Sequence, residues 1–228
     1  MAAPYRWPIK RKASYWSPKQ SAGPHSLEYS MPLISVVRDM LSLVRTAKEG
    51  RLLISKGIFS VDGKVRRDPN YPVGLMDVLT IKGEEEAYRM MINTRNRLHL
   101  VPATKEEASW KLCRIQGRHT LKGGKKQITL HDGRCIIADT DASTGDVVRL
   151  ELPSQKVVEV FKLAPGSKAL ITGGSHVGEL ATVKKFEKWR NPAPNLVLFE
   201  EGFSTVWMNV FVSGKTQSAV RLPEVSAL

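Results

Sequence analysis

An α+β, multi-domain chain is predicted from three observations. A helical apolar pattern is confined to residues 33–56, short alternating strand patterns fill most of the chain beyond residue 56, and Pro-rich extended sequence precedes both. These patterns divide the chain into a basic, aromatic N-terminal arm at 1–32, a small α/β unit at 33–85, a β-rich central unit at 86–165, and a strand–turn–strand unit with its tail at 166–228.

The arm is read as extended because Pro4, Pro8, Pro18, Pro24 and Pro32 interrupt any helix or ladder. Arg6, Lys10, Arg11, Lys12 and Lys19 all precede the first acid, Glu28, and Tyr5, Trp7, Tyr15 and Trp16 lie among them. Cations meet phosphates and flat rings stack on unpaired bases, so Arg6, Trp7, Lys10, Arg11 and Lys12 are candidate RNA-binding residues. A disordered tail, or an arm whose tryptophans pack on its own domain, is the competing reading.

In LISVVRDMLSLVR (33–45), Ile34, Val37, Leu41 and Val44 fall on one helical face. Thr46 and Glu49 are spaced as a capping box for a second helix, Ala47 to Lys56, expected to bury Leu52 and Leu53 and to stop at Gly57. Gly50 inside that helix costs about 1 kcal/mol relative to Ala, so the helix is expected to lean on tertiary packing. Asp62-Gly63 is a two-residue hairpin turn. Arg38, Lys48, Arg51, Lys56, Lys64, Arg66 and Arg67 remain as a candidate phosphate-reading surface.

From Arg97 onward RLHLV, WKLCRIQ, KQITLHDGRCIIAD, DVVRLELP and KVVEVFKL alternate as strands, with Asp132-Gly133 marking a hairpin. Between Glu107 and Asp132 stand Lys111, Arg114, Arg118, Lys122, Lys125 and Lys126 and no acid. That run is a contact face or a β edge guarded by lysines. PGSKALITGGSHVGELATV reads as strand, Gly-containing turn and strand, followed by Lys184, Lys185, Lys188 and Arg190 as phosphate contacts. FSTVWMNVFVSG is apolar on both faces and is expected to be one buried strand.

Composition narrows the classes. The 228 residues carry 35 Lys+Arg against 22 Asp+Glu, a net +13 that favours a polyanionic partner. No apolar run approaches the roughly 20 residues of a membrane helix, and the N-terminus has no continuous apolar signal region. Cys113 and Cys135 allow at most one disulfide, so a cytoplasmic chain with free thiols is expected. Those cysteines, with His119 and His131, lack zinc-ligand spacing, and no metal is expected. LKGGKK and ITGGSHVGE fit neither the P-loop nor the dinucleotide fingerprint, and no nucleophile elbow is present, so neither cofactor nor small-molecule substrate is expected. Glu84-Glu85-Glu86 reads as a solvated helix start at a domain junction. His25 and His99 read as structural.

Residues 33–83 resemble the S4-like RNA-binding domain, through Arg38-Asp39 with Leu41, Ala47-Lys48-Glu49, Ile54, Gly57, Val61-Asp62-Gly63-Lys64, Gly74 and Asp77-Val78-Leu79. The later Gly-rich turn resembles the KOW motif at Ala169, Ile171, Gly173, Gly174, Gly178 and Val183, which implies a C-terminal SH3-like β-barrel. It departs from that motif at Ser175, His176, Val177, Glu179 and Ala181, where the family turn is usually basic. WPIKRK (7–12), GPH (23–25) and VDGKVRRDPNYPVGLMDV (61–78) extend the likeness over nearly the whole chain, which resembles the e-type S4 family of small-subunit ribosomal proteins, in its archaeal form. The resemblance implies a non-catalytic protein of the cytoplasmic ribosome. Its partners would be small-subunit ribosomal RNA and neighbouring ribosomal proteins, with no membrane. Two other classes stay open: an RNA-modifying enzyme, which would need a catalytic domain within 86–165, and a KOW-type regulatory RNA-binding factor.

Overall fold

Three five-stranded antiparallel sheets succeed one another along the chain. The computed structural model describes residues 2–10, 12, 15–138, 140–190, 192–215 and 217–223. Strand β1 (Ser30–Pro32) leads into α1 (Leu33–Ser35), which widens to a π-helical stretch over Val36–Met40 and stops. The helix is thus shorter than the 33–45 periodicity predicts. Ser42 takes a positive φ of 55°, which ends the right-handed path, and Val44 enters the core from the adjoining loop.

Helix α2 (Ala47–Ser55) begins with the capping box: the Glu49 amide donates to the Thr46 hydroxyl at 3.2 Å, and the Thr46 amide to the Glu49 carboxylate at 3.2 Å. Gly57 leaves the helix at φ 74°. Its buried positions are Gly50 and Ile54, while Leu52 is 57% exposed and Leu53 half-buried. The apolar pattern predicts Leu52 inside, and the structure corrects it. Gly50 explains the rotation, because a Cβ there would lie 2.5 Å from Ile34 Cδ1 and 3.3 Å from Val44 Cγ2. The bare backbone is what lets α2 close on α1. Gly50→Ala is therefore expected to lower stability by about 1 kcal/mol, overpacking outweighing the gain in helix propensity. A urea midpoint unchanged or raised would contradict this.

The Asp62-Gly63 turn, with φ 52° and 72°, joins β2 (Phe59–Val61) to β3 (Lys64–Val65) in the left-handed conformation a tight hairpin needs. After these come β4 (Pro72–Gly74), β5 (Val78–Ile81), β6 (Ala87–Ile92) and β7 (Leu98–Ala103). The first sheet has order β3-β2-β5-β6-β7, and β1 pairs separately with β4. It therefore runs past residue 85, where the sequence pattern suggests a boundary. Glu84-Glu85-Glu86 is the exposed β5–β6 connection, not a helix start; three adjacent carboxylates break the apolar pattern without breaking the sheet.

A one-turn helix α3 (Lys105–Ala108) precedes β8 (Trp110–Thr120), β9 (Lys126–Leu130), β10 (Cys135–Ile137), β11 (Val147–Glu151) and β12 (Val157–Phe161). They form the second sheet in the order β10-β9-β8-β11-β12, over a core that includes Cys113, Ile115, Ile128, Leu130, Val148 and Leu150. The third sheet comprises β13 (Lys168–Ile171), β14 (Leu180–Glu187), β15 (Leu196–Phe199), β16 (Ser204–Val206) and β17 (Val210–Gly214), in the order β16-β15-β14-β13-β17. The expected single buried strand over 203–212 is broken by a 3₁₀ turn at Trp207–Asn209, and Met208 is exposed. The reason is topological: β16 and β17 are opposite edges of one sheet, so the chain must turn between them.

A shared core joins the units. Trp7, Ile34, Phe59 and Met90 pack in one cluster with Leu112 and Val147 of the second sheet and Leu170 and Phe211 of the third. At Gly178 (φ 81°) a Cβ would stand 2.5 Å from the Asn93 carbonyl carbon and 2.6 Å from the Thr94 nitrogen. The Gly-rich turn of the third unit thus docks on the chain's own β6–β7 turn.

Candidate nucleic-acid interface

The platform that carries the surface cations is held by a buried charge cluster. Lys111 on β8 is 0% exposed, and its Nζ donates to Asp62 at 3.0 Å, to Asp132 at 3.1 Å and to Asp77. Arg134 pairs with Asp62 and, at 3.1 Å, with Asp132. His25 of the arm lies 3.0 Å from both Asp77 oxygens, and the Gly74 amide donates to Asp77 at 2.8 Å. A Cβ at Gly74 would run into the His25 ring, so the glycine opens the path for that contact. One network therefore ties together the arm, the β2–β3 turn, the first sheet and the second. Sequence reasoning missed it, because Asp62 and Asp132 read only as turn residues.

Burial alone would raise the Asp77 carboxyl, but His25 and Lys111 hold it far below the usual carboxylate range. Asp132 is lowered against the same desolvation by Lys111, His131 and Arg134. Burial, and next the Lys111 ammonium, push the His131 imidazole down to about 3. The carboxylates' stabilisation is present above their unfolded value near 4 and is lost as pH falls toward the folded values. His131 also has a folded value below its unfolded one, near 6.5, so acid favours the unfolded chain from about pH 6.5 downward. The expected profile of urea midpoint against pH declines from pH 7 to 5 and more steeply below about 4. A flat profile between pH 7 and 5 would contradict the lowered His131 imidazole.

Among the described residues, Cys113, His131 and Asp132 bring potential metal-ligand atoms within 4.8 Å of one another. The Asp132 carboxylate is already engaged by Lys111 and Arg134, and burial raises the Cys113 thiol well above its ordinary value, holding it protonated. The cation at this place is a lysine.

The structure separates the candidate RNA-binding residues by exposure. On the arm Lys10 and Lys12 are exposed, with Tyr5, Tyr15 (96%) and Trp16 (75%) bare beside them. Trp7 is a correction: it is 3% exposed and its indole N–H donates to the Ser30 carbonyl at 2.8 Å. A large ring gains more from the core than from solvent. Arg6 is half-buried, its guanidinium 3.9 Å over the Tyr29 ring, and Arg11 lies outside the described residues. The arm is pinned by the Leu98 amide donating to the Arg6 carbonyl at 2.8 Å and the Ser21 amide to the Asn70 carbonyl at 2.8 Å.

On the first unit Lys48, Arg51, Lys56, Lys64 and Arg67 are exposed, and so is Arg45, which the sequence pattern did not single out. Gly57 brings the Arg67 guanidinium to the end of α2, since a Cβ there would be 3.6 Å from Arg67 Nε. Arg38 is bidentate to its neighbour Asp39 at 2.7 and 2.9 Å, and Arg66 lies 4.3 Å over the Tyr71 ring; both are half-buried.

The β8–β9 hairpin presents Arg118, Lys122 and Lys125 outward, with Lys126 half-buried. Lys111 leaves the interface outright, because an ammonium enclosed by three carboxylates cannot reach a phosphate. Arg114 is half-buried and its guanidinium donates to the Met208 and Val210 carbonyls, which binds the second sheet to the third. Lys184, Lys185, Lys188 and Arg190 are exposed on and just after β14. Arg118 and Lys188 line one open groove with Phe186 and Trp207, so two runs far apart in sequence meet there.

Residues 84–157 match the model of ribosomal family S4e, residues 1–28 the RS4NT domain and residues 31–79 the S4 domain. The small ribosomal subunit protein eS4 of Methanothermobacter thermautotrophicus is 41% identical, over 97% of this chain and 93% of that protein. The chain belongs to the ribosomal S4e family. A second S4e relative, from Methanocella arvoryzae, is 42% identical over 97% of this chain and 95% of its own. The crystal structure of the 30S ribosomal protein S4e from Thermoplasma acidophilum aligns with a TM-score of 0.74 at 39% identity, covering 82% of this chain and 96% of that one. The mostly β architecture with several sheets and few helices is thus the S4e fold.

Proposed function

We propose that this S4e-family chain is a structural, non-catalytic constituent of the small ribosomal subunit that holds folded ribosomal RNA against its basic faces. The observation that carries this is the division of charge. Asp62, Asp77 and Asp132 are consumed in the interior, whereas the cations of the arm, the α2–hairpin face, the β8–β9 tip and the β14 end stand in solvent. Phosphate neutralisation with counterion release supplies the affinity, and the bare Tyr15 and Trp16 rings supply stacking on unpaired bases. The partners are small-subunit ribosomal RNA and adjoining ribosomal proteins, and the place of action is the cytoplasmic ribosome. The third unit serves as a KOW-type, SH3-like barrel whose phosphate contacts come from Lys184, Lys185, Lys188 and Arg190. The test is sedimentation of a cell extract through a high-salt gradient. Stoichiometric migration with small subunits is expected, and migration free of ribosomal particles would overturn the proposal.

A further inference from the structure

Where the arm, the second sheet and the third sheet meet, the surface opens into a cavity of about 660 Å³, within the roughly 300–1,000 Å³ of small-ligand sites. Its walls include Tyr29, Arg114, Gln116, His131, Asn209 and Phe211, and among the described residues no carboxylate lines it. His131 and Phe211 meet edge to face with centroids 5.5 Å apart, giving an aromatic wall. Arg114 Nη1 is held by the Met208 and Val210 carbonyls and His131 Nδ1 by the Arg114 amide, but three polar groups around that wall are free of such partners among the described residues. Arg114 Nε is buried without a partner, and the Gln116 and Asn209 amides make no side-chain hydrogen bond among the described residues. Each amide offers both donors and an acceptor.

We infer that this cavity receives one unpaired nucleobase of the bound RNA. This rests on the RNA-binding reading and adds to it a site that selects a particular nucleotide. A base has a flat face for the rings and an edge of alternating donors and acceptors for the Gln116 and Asn209 amides and for Arg114 Nε. It also arrives on a phosphate strand, which the absence of carboxylates and the Arg6 guanidinium over Tyr29 admit. A Phe, Tyr or Trp side chain from a neighbouring protein brings at most one polar atom and would leave most of these groups unpaired.

The test uses the full-length chain and small-subunit ribosomal RNA transcribed with 4-thiouridine or 6-thioguanosine, crosslinked by near-ultraviolet light and mapped by peptide mass spectrometry. Crosslinks are expected in the peptide covering 207–211 or at Gln116, besides those on the arm and the β8–β9 tip. The double variant Gln116→Ala with Asn209→Ala should lower the cavity crosslink about tenfold, as loss of a held base implies, with the other crosslinks and the urea midpoint retained. Crosslinks on the arm and hairpins with none in the cavity would overturn the inference and leave the RNA-binding reading standing. So would capture of the 207–211 peptide by a protein neighbour in assembled subunits. An absence of crosslinks anywhere would sink both.

Discussion

Lys111→Ala is expected to lower the unfolding free energy by about 3–5 kcal/mol, the scale for removing one partner from a buried ion network. Asp62, Asp77 and Asp132 would then share one interior site with, among the described residues, Arg134 and His25 paired against them. A buried charge without its partner has lost its water and gained nothing in exchange. Lys111→Met keeps most of the volume and should cost nearly as much, which separates charge from packing. Lys122→Met at the exposed hairpin tip should stay within about 0.5 kcal/mol. Because the network spans the arm and two sheets, its loss should also broaden the urea transition as the units uncouple. A change below about 1 kcal/mol for both Lys111 variants would mean that the cluster is not a source of cohesion.

Reversing Lys64, Arg67, Lys122 and Lys125 together to Glu is expected to weaken binding to small-subunit ribosomal RNA by a hundredfold or more at about 0.1 M salt, while leaving the fold intact. All four side chains are exposed: Lys64 on β3, Arg67 in the loop after it, and Lys122 and Lys125 in the β8–β9 turn. Each lost phosphate contact should make the plot of log affinity against log salt shallower by roughly 0.7–0.9. The choice of residues matters. Arg66 lies over the Tyr71 ring with its Nε buried, so its reversal would damage the first unit and confuse the reading. Unchanged affinity with an unchanged salt slope would place the RNA elsewhere.

Local chemistry was the legible part of this chain. The capping box of α2, the Gly57 stop and the Asp62-Gly63 turn arise from side chains within a few residues, and each stands where the spacing put it. The hidden features depend on distant neighbours. Leu52 turns outward because Gly50 meets Ile34, a contact between two helices that no single-helix pattern contains. Lys111 sits in a run of six basic residues with no acid among them, yet its partners come from turns before and after the run. Trp7 sits among lysines and looks exposed until the path of the arm places it under Ser30. A cation's sequence neighbours do not say whether it faces phosphate or a buried carboxylate; only the packing decides that.

The central claim, that surface cations hold ribosomal RNA, is tested most directly by equilibrium binding of the full-length chain to protein-free small-subunit ribosomal RNA across a series of salt concentrations. Tight binding at low salt is predicted, with a steep, linear fall of log affinity against log salt as many surface cations displace counterions. Binding that does not change with salt, or no binding at about 0.1 M salt, would contradict it.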